Sequence, residues 1–353
     1  MKRKLFLGLL AAAAVLFTAC QKDQTLSEVT EDNTAIGFGT YVGRNPQTKA
    51  SDANLTSLQN SGFGVFTFYT VDALSQGVHV NNTPDFFHNV QVSGADWSYD
   101  NTKYWPYSGY LSFYAYAPFN NSTESNISEV SEITTSGIPH LTFTVPAEVS
   151  DQTDLLYATP LMNLQSTEGK VKFTFNHALS RIAFSVETGA GLTVKVNDIT
   201  LTGKFNTSGT MMLNDGTITP TTPTESTTYE LNYSDNTYLN NKAGGGLETI
   251  FSETDGYLMI IPINFDNYAT DSDKSILVNV DYDIKDISGE YNYTATGSIS
   301  SFNFVKGKAY LFNLKLNPYA DKPIEFDEPI ISDWGDEAEH TFNPNSTTEV
   351  PIP

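Results

Sequence analysis

The sequence predicts an all-β protein made of two tandem antiparallel β-sandwich domains. Apolar residues alternate with period two along most of the chain, the pattern of strands that turn one face to a core. Clusters of Gly, Asn, Asp, Ser and Pro, such as NNTPD, NDG and LNPYADKP, separate these runs, as turns between short strands require. No strand–helix alternation supports a parallel sheet, and 353 residues suit two domains of roughly 150 residues each.

Composition narrows the function. The chain carries 41 Asp+Glu against 19 Lys+Arg, a formal net charge of -22. That excess repels phosphate backbones and anionic membrane surfaces, so nucleic acid is not an expected partner. With 22 Phe, 19 Tyr and 3 Trp, the chain is too aromatic for a disordered acidic polymer. A single cysteine rules out an intramolecular disulfide and the usual Cys-based zinc sites.

Lys2, Arg3 and Lys4 precede an apolar run from Leu5 to Ala19, which reads as a secretion signal too short for a comfortable membrane span. Its end, Leu16-Phe17-Thr18-Ala19-Cys20, resembles the lipobox of bacterial lipoproteins, with Phe17 where an aliphatic residue is usual. Residues 1–19 are therefore expected to be removed as a lipoprotein signal peptide. The resemblance implies that Cys20 is lipidated and holds the protein on the outer membrane. Losing residues 1–19 removes three basic groups and no acid, so the exported body is more acidic still.

Residues 20–50 read as a tether, a first strand and a cleavage loop. Ile36, Phe38, Thr40 and Val42 alternate with Gly37, Gly39 and Tyr41, as a half-buried strand does. Arg44 and Lys49 follow in the polar stretch GRNPQTKASD, where proteolysis concentrates if the loop is exposed. In the first sandwich, 51–178, Phe63, Val65, Thr67 and Tyr69 oppose Phe66 and Phe68. Leu111, Phe113, Ala115 and Ala117 oppose Tyr114 and Tyr116, and Val171, Phe173 and Phe175 oppose Lys172 and Thr174. The stretch from Asn176 to Arg181 reads as a polar domain junction, with HALS as one turn of helix. The second sandwich, 179–332, carries Ile182, Phe184, Val186, then Leu192, Val194, Val196, then Val278, Val280, Tyr282, Ile284, and then Tyr310, Phe312, Leu314, Leu316. Residues 333–353 form an acidic, proline-containing arm.

Catalytic signals are poor, and neither an enzyme nor a cofactor is expected. His79, His88, His140, His177 and His340 lie far apart with no paired spacing, so no metal site has local support. No GxSxG elbow exists, and Gly244-Gly245-Gly246 lacks the Lys-Ser/Thr of a phosphate loop. The pairs Asp271/Asp273 and Asp281/Asp283 lack the central glycine and terminal glutamate of an EF-hand; a surface calcium loop and a plain solvated acidic loop both stay open. Trp97, Trp105 and Tyr107 stand as an alternative sugar-stacking platform beside the reading that they are core.

Several segments together resemble the Bacteroidia fimbrillin-like family of surface-pilus subunits and anchors. They are Thr48-Lys49-Ala50, GFGVFTFYT at 62–70, Tyr104-Trp105-Pro106, LSFYAYAP at 111–118 and DLLYATP at 154–160. VKFTFNHALSRIAFSV at 171–186, LMIIPI at 258–263, KGKAYLFNLKL at 306–316 and ISDWGD around Trp334 complete the set. The resemblance implies two transthyretin-like sandwiches and a fimbrial structural or adhesive subunit. It further implies cleavage at Arg44 or Lys49, loss of the first strand, and donor-strand exchange with another subunit. Donor candidates lie toward the C-terminus: Ile324, Phe326, Ile330, Trp334, Phe342, Val350 and Ile352. Implied partners are other fimbrial subunits in a head-to-tail polymer, the lipid anchor, and a host or bacterial surface ligand. A non-polymerising pilus anchor and a glycan-binding surface lipoprotein are the alternatives.

Overall fold

A computed structural model describes residues 34–42, 55–75, 81–123, 125–166, 170–187, 193–223, 225–233, 239–240, 248–250, 257–300, 302–316, 324–326 and 329–334. In chain order the first half holds β1 (Gly37–Val42), helix α1 (Leu55–Ser61), β2 (Phe63–Thr70), β3 (Phe87–Val92), β4 (Tyr110–Ala117), β5 (Ile127–Val130), β6 (His140–Thr144), β7 (Leu156–Ala158), β8 (Leu161–Leu164) and β9 (Lys170–His177). There follow β10 (Ser180–Glu187), β11 (Thr193–Gly203), β12 (Ser208–Met212), β13 (Ile218–Pro220), β14 (Thr227–Asn232), β15 (Leu239–Asn240) and β16 (Glu248–Ile250). The last are β17 (Leu258–Ile260), β18 (Ser275–Asp286), β19 (Gly289–Ser300), β20 (Lys308–Lys315), β21 (Glu325–Phe326) and β22 (Ile330–Asp333).

Among the described residues these strands form four sheets. The first has the order β1-β9-β7-β4-β2-β3, with β8 against β4, and a smaller one runs β13-β12-β6-β5. A third runs β16-β10-β20-β21, with β17 on β10 and β22 on β20, and a fourth β14-β11-β18-β19, with β15 on β11. The all-β expectation is met, with strand faces where alternation puts them. Phe63, Val65, Phe113, Ala115, Val171 and Phe173 share one cluster, while Phe66, Phe68, Tyr114 and Tyr116 fall in another. Both faces of β2 and β4 are buried, which is why these strands read as nearly continuous apolar runs.

The two faces of the first sheet have different covers. On one lie Leu58 of α1 and the loop residues Trp97, Tyr99 and Trp105. On the other lie Leu141 and Phe143 of β6 and Met211 of β12. The third and fourth sheets enclose a separate core, in which Ile182, Phe184, Tyr310 and Phe312 meet Val194, Ile199, Val278 and Val280. A bulge at Val196/Asp198 in β11 shifts the alternation there, so 194 and 196 point inward and then 199 and 201.

Three features depart from the sequence reading. The junction is not a polar linker with a helical turn: only Ala178 and Leu179 separate β9 from β10, and both are buried. The hairpin β12–β13, which follows residue 179, pairs with β6 of the first half, Met211 opposite Leu141. Two parallel pairs also interrupt the antiparallel pattern, β1 with β9 and β10 with β20. Alternation looks the same in either direction, so neither pairing was visible in the sequence.

Buried tyrosines give this fold an alkaline limit. Burial pushes the Tyr114 and Tyr229 hydroxyls from 10.0 up to about 12. The Tyr229 hydroxyl has no hydrogen-bond partner among the described residues. A raised folded pKa keeps the proton on the native chain after the unfolded chain has released it, so stability is complete below pH 10 and is lost as pH rises toward about 12. We predict that denaturant midpoints hold steady to about pH 9 and then fall, and that Tyr229→Phe flattens the decline. An unchanged alkaline slope in that variant would contradict the assignment.

Candidate functional site

The first strand closes the edge of the first sheet. Alternation puts Ile36 and Phe38 on the inner side, and both are buried, at 1% and 0% exposure. Gly37 and Gly39 fall on the opposite face, beneath the aliphatic stems of Lys170 and Lys172. The register pairs Phe38 with Val171, Gly39 with Lys172, Thr40 with Phe173 and Val42 with Phe175. Among the described residues β9 is the one strand that hydrogen-bonds β1, so residues 37–42 form an edge there.

Phe38 is the centre of the seat. Its ring lies 5.3 Å from Tyr99, 5.9 Å from Phe87 and 6.0 Å from Phe173, with Phe63 and Phe113 at 6.4 and 6.3 Å. Four of these contacts are edge-on, the arrangement that aligns ring edges with ring faces. A short clamp holds the entry to the strand. The Ile36 amide donates to the Lys103 carbonyl at 2.9 Å, and the Trp105 amide to the Thr34 carbonyl at 3.1 Å. The Tyr99 hydroxyl donates to the Ile36 carbonyl at 2.7 Å. Burial raises the Tyr99 pKa, which keeps that hydroxyl a donor. The Lys103 ammonium sits 4.9 and 5.2 Å from the Phe86 and Phe87 ring centres. One cost remains: the buried Thr40 hydroxyl has no partner among the described residues.

Four of the donor candidates pack on the chain itself, Ile324, Phe326 and Ile330 on its second half and Trp334 against His177 of the first. Ile324 is buried in that core, and Phe326 meets Phe312 edge-on at 6.2 Å. Strand β22 pairs with β20 but is thinly covered, with Ile330 and Ile331 at 45% and 52% exposure. Its anchor is Trp334, which stacks on the His177 ring at 4.4 Å and 2° and lies 5.6 Å from the Arg181 guanidinium. His177 in turn bonds the buried Asp154 carboxylate at 2.7 Å. Since His177 ends β9, one strand carries both the seat of β1 and the dock of Trp334. Cys20, Arg44, Lys49, Phe342, Val350 and Ile352 lie outside the described residues, as do His79, His340 and the Gly244–Gly246 run.

The alternative sites fare differently. Trp97 and Trp105 are core residues at 8% and 7% exposure, so they form no surface sugar platform, although Tyr107 is fully exposed. Asp281 and Asp283 are engaged by the side-chain amides of Asn197 and Asn292. Asp273 accepts from the Thr270 hydroxyl at 2.7 Å. Among the described residues no group of three His, Cys, Asp or Glu is placed to hold a metal ion. Sequence reasoning found the first strand but missed its clamp. Tyr99 and Lys103 lie more than fifty residues from it along the chain, and no local pattern links them.

The family described as fimbrillin-like matches residues 48–334. A fimbrium subunit, Fim1C, of Phocaeicola vulgatus is 25% identical over 376 residues, spanning 95% of this chain and 98% of its own. A crystal structure of a fimbrial protein from Bacteroides vulgatus superposes with a TM-score of 0.66 at 23% identity, covering 85% of this chain and 99% of that one. At that identity the second likeness speaks for the fold alone.

The seat predicts its own sensitivity. Phe38→Ala should cost about 3–5 kcal/mol, because the surrounding rings cannot collapse onto the space. Chemical denaturation measures this, and a loss below about 1 kcal/mol would mean that β1 is peripheral to the core.

Proposed function

The chain belongs to the fimbrillin-like family, and on that premise we propose that it is a structural and adhesive subunit of a cell-surface fimbrium. Its precursor is exported as a lipoprotein on Cys20 and anchored to the outer membrane. Cleavage after Arg44 or Lys49 detaches residues up to β1, and a strand from another subunit takes the vacated edge. The observation that carries this reading is the position of β1: an edge strand, bonded among the described residues to β9 alone, with Phe38 filling an aromatic pocket.

Removing such a strand uncovers two things at once. The free edge of β9 presents unpaired N–H and C=O groups, and the pockets of Ile36 and Phe38 open to water. An incoming strand satisfies the first through main-chain bonds and the second with side chains two residues apart. Val350 and Ile352 have the two-residue spacing of Ile36 and Phe38. Pro351 and Pro353 alternate with them, so the missing N–H groups all fall on one side of the strand and leave its other side able to pair. Ile324, Phe326, Ile330 and Trp334 are already engaged on their own body, so donation falls to the segment beyond Trp334. Each addition leaves a new donor free, which makes an open filament rather than a closed ring.

Limited trypsin digestion of the purified precursor checks the mechanism. The expected result is an early cut at Arg44 or Lys49 followed by a ladder of oligomers. A protein cut there that stays monomeric would instead be a non-polymerising anchor.

A further inference from the structure

A cleft of about 570 Å³ opens between the β12–β13 hairpin and the second half of the molecule. The size lies within the ordinary range for small-ligand sites. Pro220, Pro262, Phe304 and Val305 supply apolar wall, while Asn206, Asn264, Asn267, Thr222, Tyr268 and Lys306 supply polar groups. Among the described residues none that lines the cleft is acidic, in a chain with 41 Asp+Glu.

Part of this wall is fixed in advance. The Tyr268 hydroxyl donates to the Lys204 carbonyl at 2.9 Å and is also bonded by the buried Asn206 side chain. Asn264 accepts from the Asp266 amide at 2.9 Å. Two further polar side chains are uncommitted, and Lys306 is only partly engaged. Asn267 is exposed at the end of a 3-10 turn, Thr222 is exposed beyond β13, and neither side chain has a hydrogen bond among the described residues. The Lys306 ammonium donates to the Asp215 main-chain carbonyl and lies 5.0 Å from the Tyr157 ring centre. It makes no ion pair among the described residues, and an ammonium has three donors.

We propose that this cleft binds an acidic saccharide. A sugar acid asks for three things: amides and hydroxyls that can both donate and accept, an apolar surface for its C–H face, and a cation for its carboxylate. Asn267 and Thr222 supply the first, Pro220 and Val305 the second, and Lys306 the third. The charge balance favours an acidic ligand over a neutral one. A body this acidic repels anions in general, and Lys306, which has no ion pair among the described residues, is a place where one can approach. The inference does not depend on polymerisation, because no residue of β1 and none from 333 onward is among the described residues that line the cleft.

Titrating the full chain with 3′-sialyllactose, digalacturonate and lactose by calorimetry tests the site. At least one of the two acids should bind roughly tenfold or more tightly than lactose. Lys306→Gln should abolish that advantage, and Asn267→Ala should weaken whichever acid binds, with unfolding midpoints unchanged. The proposal is overturned if neither acid binds below about 10 mM, if lactose binds as well as the acids, or if Lys306→Gln leaves acid affinity intact.

Discussion

An open sheet edge beside an apolar pocket is costly twice over, once for unpaired backbone groups and once for exposed carbon. In this protein residues 36–42 meet both costs together. Their main chain pairs with β9 while Ile36 and Phe38 fill the space between the first sheet and the lid formed by α1 and residues 97–105. Neither contribution separates from the other, since the residues that bond β9 are those that present Phe38 to the rings of Phe63, Phe87, Tyr99, Phe113 and Phe173. On the proposed mechanism such a strand is a replaceable part: any segment with apolar residues two apart and a free edge satisfies the same demands.

The second half contains a similar parallel pair, β10 with β20, but treats it differently. There β16 and β17 cover the far side of β10, and β21 and β22 cover the far side of β20. Both strands are thereby interior, and withdrawing β10 would break the chain's own continuity into β11. The first half leaves its parallel strand at the edge, directly before Arg44 and Lys49, the proposed cleavage residues. That asymmetry explains why exchange, on this account, belongs to one half. Strand β9 touches both segments, because its early residues seat β1 and its last residue, His177, stacks on Trp334.

Strand positions were legible because alternation is a direct record of which face is buried. The runs at 63–69, 111–117, 171–175 and 278–284 all became strands on the faces expected. What the sequence concealed was pairing. Nothing local in Ser208–Pro220 marks it as a partner of β6, and nothing in Gly37–Val42 says that its neighbour lies more than a hundred residues away and runs parallel. The polar look of NHALSR also misled, because the Asn, His and Arg reach partners while Ala178 and Leu179 are sealed inside. Trp97 and Trp105 were ambiguous for a related reason: an aromatic in a loop reads as exposed until the lid it belongs to is seen.

A disulfide lock tests the replaceable strand most directly. In a Cys20→Ser background, Gly39→Cys with Lys172→Cys joins register partners on the outer face, at the strand spacing of about 4.8 Å that a disulfide spans. The account predicts that the oxidised protein, although cut by trypsin at Arg44 or Lys49, stays monomeric, and that reduction releases the strand and starts oligomer formation. Oligomers forming equally well with the disulfide intact would contradict it, because assembly would then proceed with the first strand still in its seat.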